Sequence, residues 1–82
     1  MSDLAKLKNF GPYMVKIMQL IDIHSKEDLL DADLVSIQEK LIQKGIKPHL
    51  SIFYSIEMGL QNRNWLDISP TEKRAIQEIL KR

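Results

Sequence analysis

The sequence contains no cysteine, and it has few glycines, prolines and aromatic residues. The lack of cysteine excludes disulfide bonds, Cys-ligated zinc, iron–sulfur clusters and thiol chemistry. No apolar run approaches the ~20 residues that a membrane-spanning helix needs, and no apolar leader opens the chain. The charges nearly balance, with 12 Lys and Arg against 11 Asp and Glu. These features predict one small domain over residues 1–82, which we expect to be soluble and cytoplasmic.

Apolar residues recur at intervals of three and four, and no alternating strand pattern is present. The spacing predicts an all-α fold, a compact bundle of five to six short helices. Pro12 suits the first turn of a helix, whereas Gly45 and Asn62 suit left-handed stops at helix ends. The strongest start signal is Ser69-Pro70-Thr71-Glu72, in which serine caps the helix, proline takes its first position and glutamate its third.

No arrangement of residues indicates catalysis. His24 and His49 are far apart, and neither has a second histidine or a carboxylate at metal-ligand spacing. The sequence has no glycine-rich phosphate loop and no nucleophile elbow. We therefore predict a non-enzymatic protein, and no residue pattern indicates a metal, a cofactor or a small-molecule substrate.

A turn rich in lysine is the first candidate binding site. Gly11 lies at a predicted turn between two helices, as in helix-hairpin-helix modules, where backbone N–H groups at the start of the second helix can hold a phosphate. Lys6, Lys8, Asn9 and Lys16 flank it, and no acidic residue lies between Lys6 and Lys16. These five residues form the candidate nucleic-acid site. The alternative is that Gly11 and its proline only separate two helices, and that the lysines are solvated.

The lone tryptophan is the second candidate. Trp65 lies in a predicted loop, and it is either an exposed anchor for a partner or a plug that closes the core. In so small a domain we favour the plug, with Arg63 facing outward. Tyr54 and Met58 form a second apolar face on the fifth predicted helix, which is typical of a central helix or of an interface. Tyr54, Met58 and Arg63 are therefore the candidate partner-binding residues.

Three parts of the chain together resemble one family. LKNFGP at 7–12, followed by IHSKEDL at 23–29, is similar to the opening "L-x-N-L-G-P … G-I-H-T-x-E-D-L" of the C-terminal domain of the TfoX/Sxy competence regulators. LSIFYSIEMGL at 50–60 resembles that domain's "S-L-N-L-L-Y-A-L-E-G-A-L" helix, and RNWLDISP at 63–70 resembles its closing "G-R-H-W-x-D-L-P". The order and spacing agree over almost the whole chain. Asp22 and Asn62 stand at family glycines, and Asn64 stands where the family often has histidine.

The resemblance implies an all-helical domain related to the helix-hairpin-helix and SAM-like class, and an association with the regulation of natural transformation. We predict a regulatory or interaction module that acts through contacts with a protein partner or with itself. The alternative is weak, sequence-tolerant binding of nucleic acid through the Gly11 turn.

Overall fold

The computed structural model describes residues 3–81, and these form five α-helices and two short 3-10 helices. No strand occurs within 3–81, so the predicted all-α fold is confirmed. We call the second 3-10 helix the Trp65 turn. The elements in order are a 3-10 helix over Asp3–Lys6, α1 over Pro12–Leu20, α2 over Lys26–Asp31, α3 over Leu34–Gln43, α4 over Leu50–Leu60, the Trp65 turn over Trp65–Asp67 and α5 over Pro70–Leu80.

Short polar side chains begin three of the helices. Ser25 and Asp33 each accept a hydrogen bond from a backbone N–H in the first turn of α2 and α3. At α5 the predicted capping box is complete, because Ser69 accepts from the Glu72 N–H while the Glu72 side chain accepts from the Ser69 N–H. Each such cap satisfies an N–H that the helix itself leaves unpaired.

Left-handed residues end three of the helices. Asp22, Gly45 and Asn62 have φ angles of 63°, 73° and 58° and follow α1, α3 and α4. At each end the next N–H turns back to the helix, as when Ile23 donates to the Met18 carbonyl at 2.9 Å. This is the Schellman arrangement. The predicted stops at Gly45 and Asn62 are confirmed, and Asp22 adopts the same left-handed conformation although it is not a glycine.

α4 lies at the centre of the fold and is buried on two faces. It packs against α5 and against the Trp65 turn. Tyr54 is 8% exposed and Met58 is fully buried, so the second apolar face belongs to the core. The Tyr54 hydroxyl also accepts a hydrogen bond from the Gln77 side chain of α5 at 2.8 Å. The central-helix interpretation is therefore confirmed, and Tyr54 and Met58 were wrong as partner-binding candidates.

Candidate interaction surface

Hydrogen bonds join the turn before α1, the end of α4 and the Trp65 turn at one place on the surface. Asn9 is the residue that joins them. Its side-chain amide nitrogen donates to the Arg63 carbonyl at 2.9 Å, and its amide oxygen accepts from the Trp65 N–H at 2.9 Å. Asn9 has a φ of 73°, a left-handed conformation that asparagine tolerates better than most residues. The two hydrogen bonds fix the Trp65 turn to the opposite end of the chain.

Asn9, and not Gly11, is the special residue of this turn. Gly11 has a φ of −82°, which any residue can adopt, and an added Cβ would meet nothing within 4 Å. The predicted helical hairpin is also shorter than expected, because the element before the turn is a four-residue 3-10 helix. The Asn9 side chain is engaged in the hydrogen bonds that hold the Trp65 turn.

The Trp65 turn presents two apolar side chains to solvent. Trp65 is 40% exposed and Leu66 is 72% exposed. The prediction that Trp65 plugs the core was therefore wrong. Ile68, which is 8% exposed, is the loop residue that enters the core. A second side-chain hydrogen bond, from the Leu66 N–H to Asn64 Oδ1 at 2.9 Å, stabilises the turn from within.

Arg63 holds the Trp65 turn against α5. Its guanidinium donates to Glu72 at 2.9 Å and to the Asp67 carbonyl at 3.2 Å. Hydrogen bonds from the Ser69 N–H and then from the Arg63 guanidinium hold the pKa of Glu72 below its ordinary value. The Arg63 side chain is 40% exposed, yet its polar groups are directed at other residues of the same chain. The sequence did not predict this ion pair, because Arg63 and Glu72 lie nine residues apart on opposite sides of a loop.

The three candidate lysines lie on the surface. Lys6, Lys8 and Lys16 are all exposed, and none is in an ion pair within residues 3–81. α1 begins beside them, and in this described part of the chain its first turn has no side-chain cap and no acidic residue. These lysines and the start of α1 stay the candidate nucleic-acid site that the sequence predicts.

We searched residues 3–81 for a metal site and for a membrane-spanning helix and found neither. Within residues 3–81, His, Asp and Glu nowhere form a group of three that could hold a metal ion. None of the helices there combines the length and the apolar character needed to cross a bilayer.

Comparison with known families gives one match, which covers almost the whole chain. Residues 1–80 match the family described as the TfoX C-terminal domain. The chain belongs to this family. Comparison with curated proteins and with solved structures found no significant match. The match includes the Asn9 turn, α4 and the Trp65 turn, so the resemblance carried by residues 7–12, 23–29, 50–60 and 63–70 is confirmed.

Proposed function

We propose that this TfoX C-terminal domain is a non-enzymatic interaction module that works in transcription regulation by binding another protein. The family supports a competence-regulator-like module. The observation that carries the proposal is the exposed pair Trp65 and Leu66, which the hydrogen bonds of Asn9 and Asn64 hold on a fixed turn.

A fixed apolar pair is suited to binding for an energetic reason. Association costs free energy whenever it immobilises a flexible loop or side chain. The Trp65 and Leu66 N–H groups already donate hydrogen bonds to the Asn9 and Asn64 side chains, so the backbone of the turn is ordered before binding and the cost of ordering it is reduced. Tryptophan is enriched among the residues that dominate binding energy at protein interfaces, because its large ring excludes water from a partner's surface.

The test measures partner binding by two variants, each of which replaces one exposed apolar residue with serine. Leu66→Ser removes the more exposed member of the pair, and Ile42→Ser changes a residue on α3 that is 58% exposed. Affinity purification from the source cells should recover a component of the transcription apparatus with the unchanged chain and with Ile42→Ser. With the purified partner, Leu66→Ser should weaken binding by about tenfold or more. Recovery of no such component, or equal binding by all three chains, contradicts the proposal.

Nucleic-acid binding is the second candidate function, because Lys6, Lys8 and Lys16 are exposed, are in no ion pair within residues 3–81, and precede or lie in α1, whose start has no side-chain cap. Lysine and backbone N–H groups contact phosphates without reading bases, so the binding would be weak and tolerant of sequence. With three lysines engaged, log affinity for duplex DNA should fall with log salt at a slope of about −2 to −3.

Anisotropy titration of labelled duplex tests this second function. Changing Lys6, Lys8 and Lys16 together to Glu should abolish binding. The matched control changes three other exposed lysines to Glu and makes the same change in net charge; these are Lys40, Lys44 and Lys47. Equal loss in both triple variants would indicate an effect of net charge alone, and absence of binding by the unchanged chain would remove the hypothesis.

A further inference from the structure

The hydrogen bonds that hold the Trp65 turn come from different parts of the chain. The Arg63–Glu72 pair holds it against α5, and Asn64 stabilises it from within. The backbone of Trp65 itself is held from the beginning of the fold, because its N–H donates to Asn9 Oδ1. The exposed tryptophan is therefore fixed by a residue that lies 56 positions earlier in the sequence.

The part of the chain that carries Asn9 is seated on the core. We call residues 4–10 the Asn9 segment. Leu4 at its start is 0% exposed, and Phe10 at its end is 6% exposed. The segment also lies close against α4, since a Cβ added to Gly59 would be only 2.6 Å from the Lys8 carbonyl oxygen. A buried side chain at each end and a close backbone contact thus fix the position of Asn9 relative to α4.

Asn9 connects this segment to α4 and to the Trp65 turn. Its amide nitrogen donates to the carbonyl oxygens of Arg63 at 2.9 Å and of Ser55 at 3.5 Å. Its amide oxygen accepts from the Trp65 N–H. A side chain can hold the turn in this way only while its own backbone stays in place. Continuous sets of packed side chains and hydrogen bonds of this kind can carry energetic coupling between distant parts of a protein.

We propose that Asn9 is a positioning residue for the Trp65 surface, and that the Trp65 turn is ordered only while the Asn9 segment is seated. This inference rests on the proposed function, because it makes partner binding at Trp65 and Leu66 depend on a segment outside the turn. A chain with an unseated segment has to order the turn when it binds, and that cost lowers the affinity. Any change that unseats the Asn9 segment therefore regulates the Trp65 surface.

Amide hydrogen exchange of the free protein, followed residue by residue by NMR, tests the coupling without a partner. Leu7→Ala alters the Asn9 segment at a side chain that is partly buried against the core. The matched control is Ile46→Ala, because Ile46 is also partly buried against the core and lies after α3. Leu7→Ala should raise the exchange rate of the Trp65 N–H by about fivefold or more over that in Ile46→Ala. The slowest amides of each variant report global unfolding and correct for differences in overall stability.

Fluorescence of the single tryptophan tests the role of the Asn9 side chain directly. Asn9→Gly removes the side chain at a positive φ that glycine adopts readily, and Asn62→Gly makes the same change at a similar φ. Time-resolved anisotropy should detect faster local motion of Trp65 in Asn9→Gly and not in Asn62→Gly. A purely structural role of Asn9 would lower overall stability and leave this local motion unchanged in the folded protein.

Affinity for the purified partner completes the test. Asn9→Gly should weaken binding by about tenfold, whereas Asn62→Gly should bind as the unchanged chain does. Equal exchange of the Trp65 N–H in Leu7→Ala and Ile46→Ala overturns the proposal, and so does equal motion of Trp65 in the two glycine variants. Failure to recover any partner contradicts the proposed function alone, because exchange and anisotropy are measured on the free protein and still decide whether Asn9 positions Trp65.

Discussion

The side chain of Asn9 accepts a hydrogen bond from the backbone N–H of Trp65 at 2.9 Å, across 56 residues of sequence. The same side chain donates to the carbonyl of Arg63 at 2.9 Å. One amide thus uses its donor and its acceptor on two residues of one loop, and it ties the beginning of the fold to the loop between the last two helices. Because this hydrogen bond fixes the backbone at Trp65, the side chain is exposed on an ordered turn and not on a flexible loop.

Asn9 and Asn62 share a backbone conformation but differ in what their side chains do. Glycine relieves the strain of a positive φ at either position. Asn62 is exposed and its side chain makes no hydrogen bond within the described residues, so Asn62→Gly should change stability by less than about 0.5 kcal/mol. Asn9→Gly removes three long-range hydrogen bonds, of which the one to the Ser55 carbonyl is long at 3.5 Å, and should destabilise by about 1–3 kcal/mol. Urea denaturation of both variants measures the difference, and equal stabilities would mean that the Asn9 hydrogen bonds contribute nothing.

Gly59 allows the turn before α1 to approach α4. A Cβ at this position would lie 2.6 Å from the Lys8 carbonyl oxygen and 3.3 Å from a ring carbon of Phe10. Alanine normally stabilises a helix interior by about 0.5–1 kcal/mol relative to glycine. At Gly59 we expect the steric clash to outweigh this gain in helix stability, because overpacking costs about 1–3 kcal/mol and the obstructing atom belongs to the backbone.

Gly59→Ala should therefore lower the free energy of unfolding, as measured by thermal or urea denaturation. Gly11→Ala is the control, since its Cβ would meet nothing within 4 Å. We expect it to remain within about 0.5 kcal/mol of the unchanged chain, because reduced freedom of the unfolded chain offsets a poorer helix cap. A larger loss of stability in Gly11→Ala than in Gly59→Ala would contradict the close approach at Gly59.

Short sequence motifs predicted where helices begin and end, whereas packing between distant parts of the chain determines which side chains are exposed. The Ser69 capping box and the stops at Gly45 and Asn62 each depend on a few neighbouring residues, so the sequence displays them directly. The exposure of Trp65 depends on Asn9, which lies at the other end of the chain. Tyr54 is buried because α5 covers it, and periodicity within α4 cannot show that. The one feature of the sequence that could have predicted the Asn9 turn is an asparagine directly after a short helix, since asparagine tolerates a positive φ.

Ile68 should matter more to stability than Trp65, although tryptophan is the larger residue. Ile68 is 8% exposed within the core, and truncation of such a side chain to alanine costs about 2–5 kcal/mol. Trp65 is 40% exposed, and we expect Trp65→Ala to cost less than about 2 kcal/mol. Urea denaturation followed by circular dichroism compares them. Fluorescence of the single tryptophan should also be quenched by iodide in the native protein, and a shielded tryptophan would contradict the exposed turn.

The lowered pKa of Glu72 makes stability depend on pH in the acid range. Hydrogen bonds from the Ser69 N–H and from Arg63 lower the pKa of Glu72 from its ordinary value of 4.5. A carboxyl group whose pKa is lower in the folded state stabilises the fold above its unfolded pKa, and this contribution disappears as pH falls through the folded pKa. Stability should therefore decline as pH drops below about 4.5. Asp28, whose pKa is lowered mainly by the hydrogen bond from the His24 N–H, adds to the same decline.

Glu72→Gln separates the contribution of Glu72 from that of Asp28. The neutral amide cannot titrate, so the free energy of unfolding of Glu72→Gln should fall less steeply below pH 4.5 than that of the unchanged chain. At neutral pH the variant should be the less stable of the two, since it loses the ion pair that holds the Trp65 turn against α5. Glu57→Gln is the matched control, because Glu57 takes no part in the α5 cap or in the Arg63 pair. Urea denaturation at a series of pH values measures all three chains. Parallel curves for the unchanged chain and Glu72→Gln would show that the Arg63–Glu72 pair and the cap do not set the acid stability of this domain.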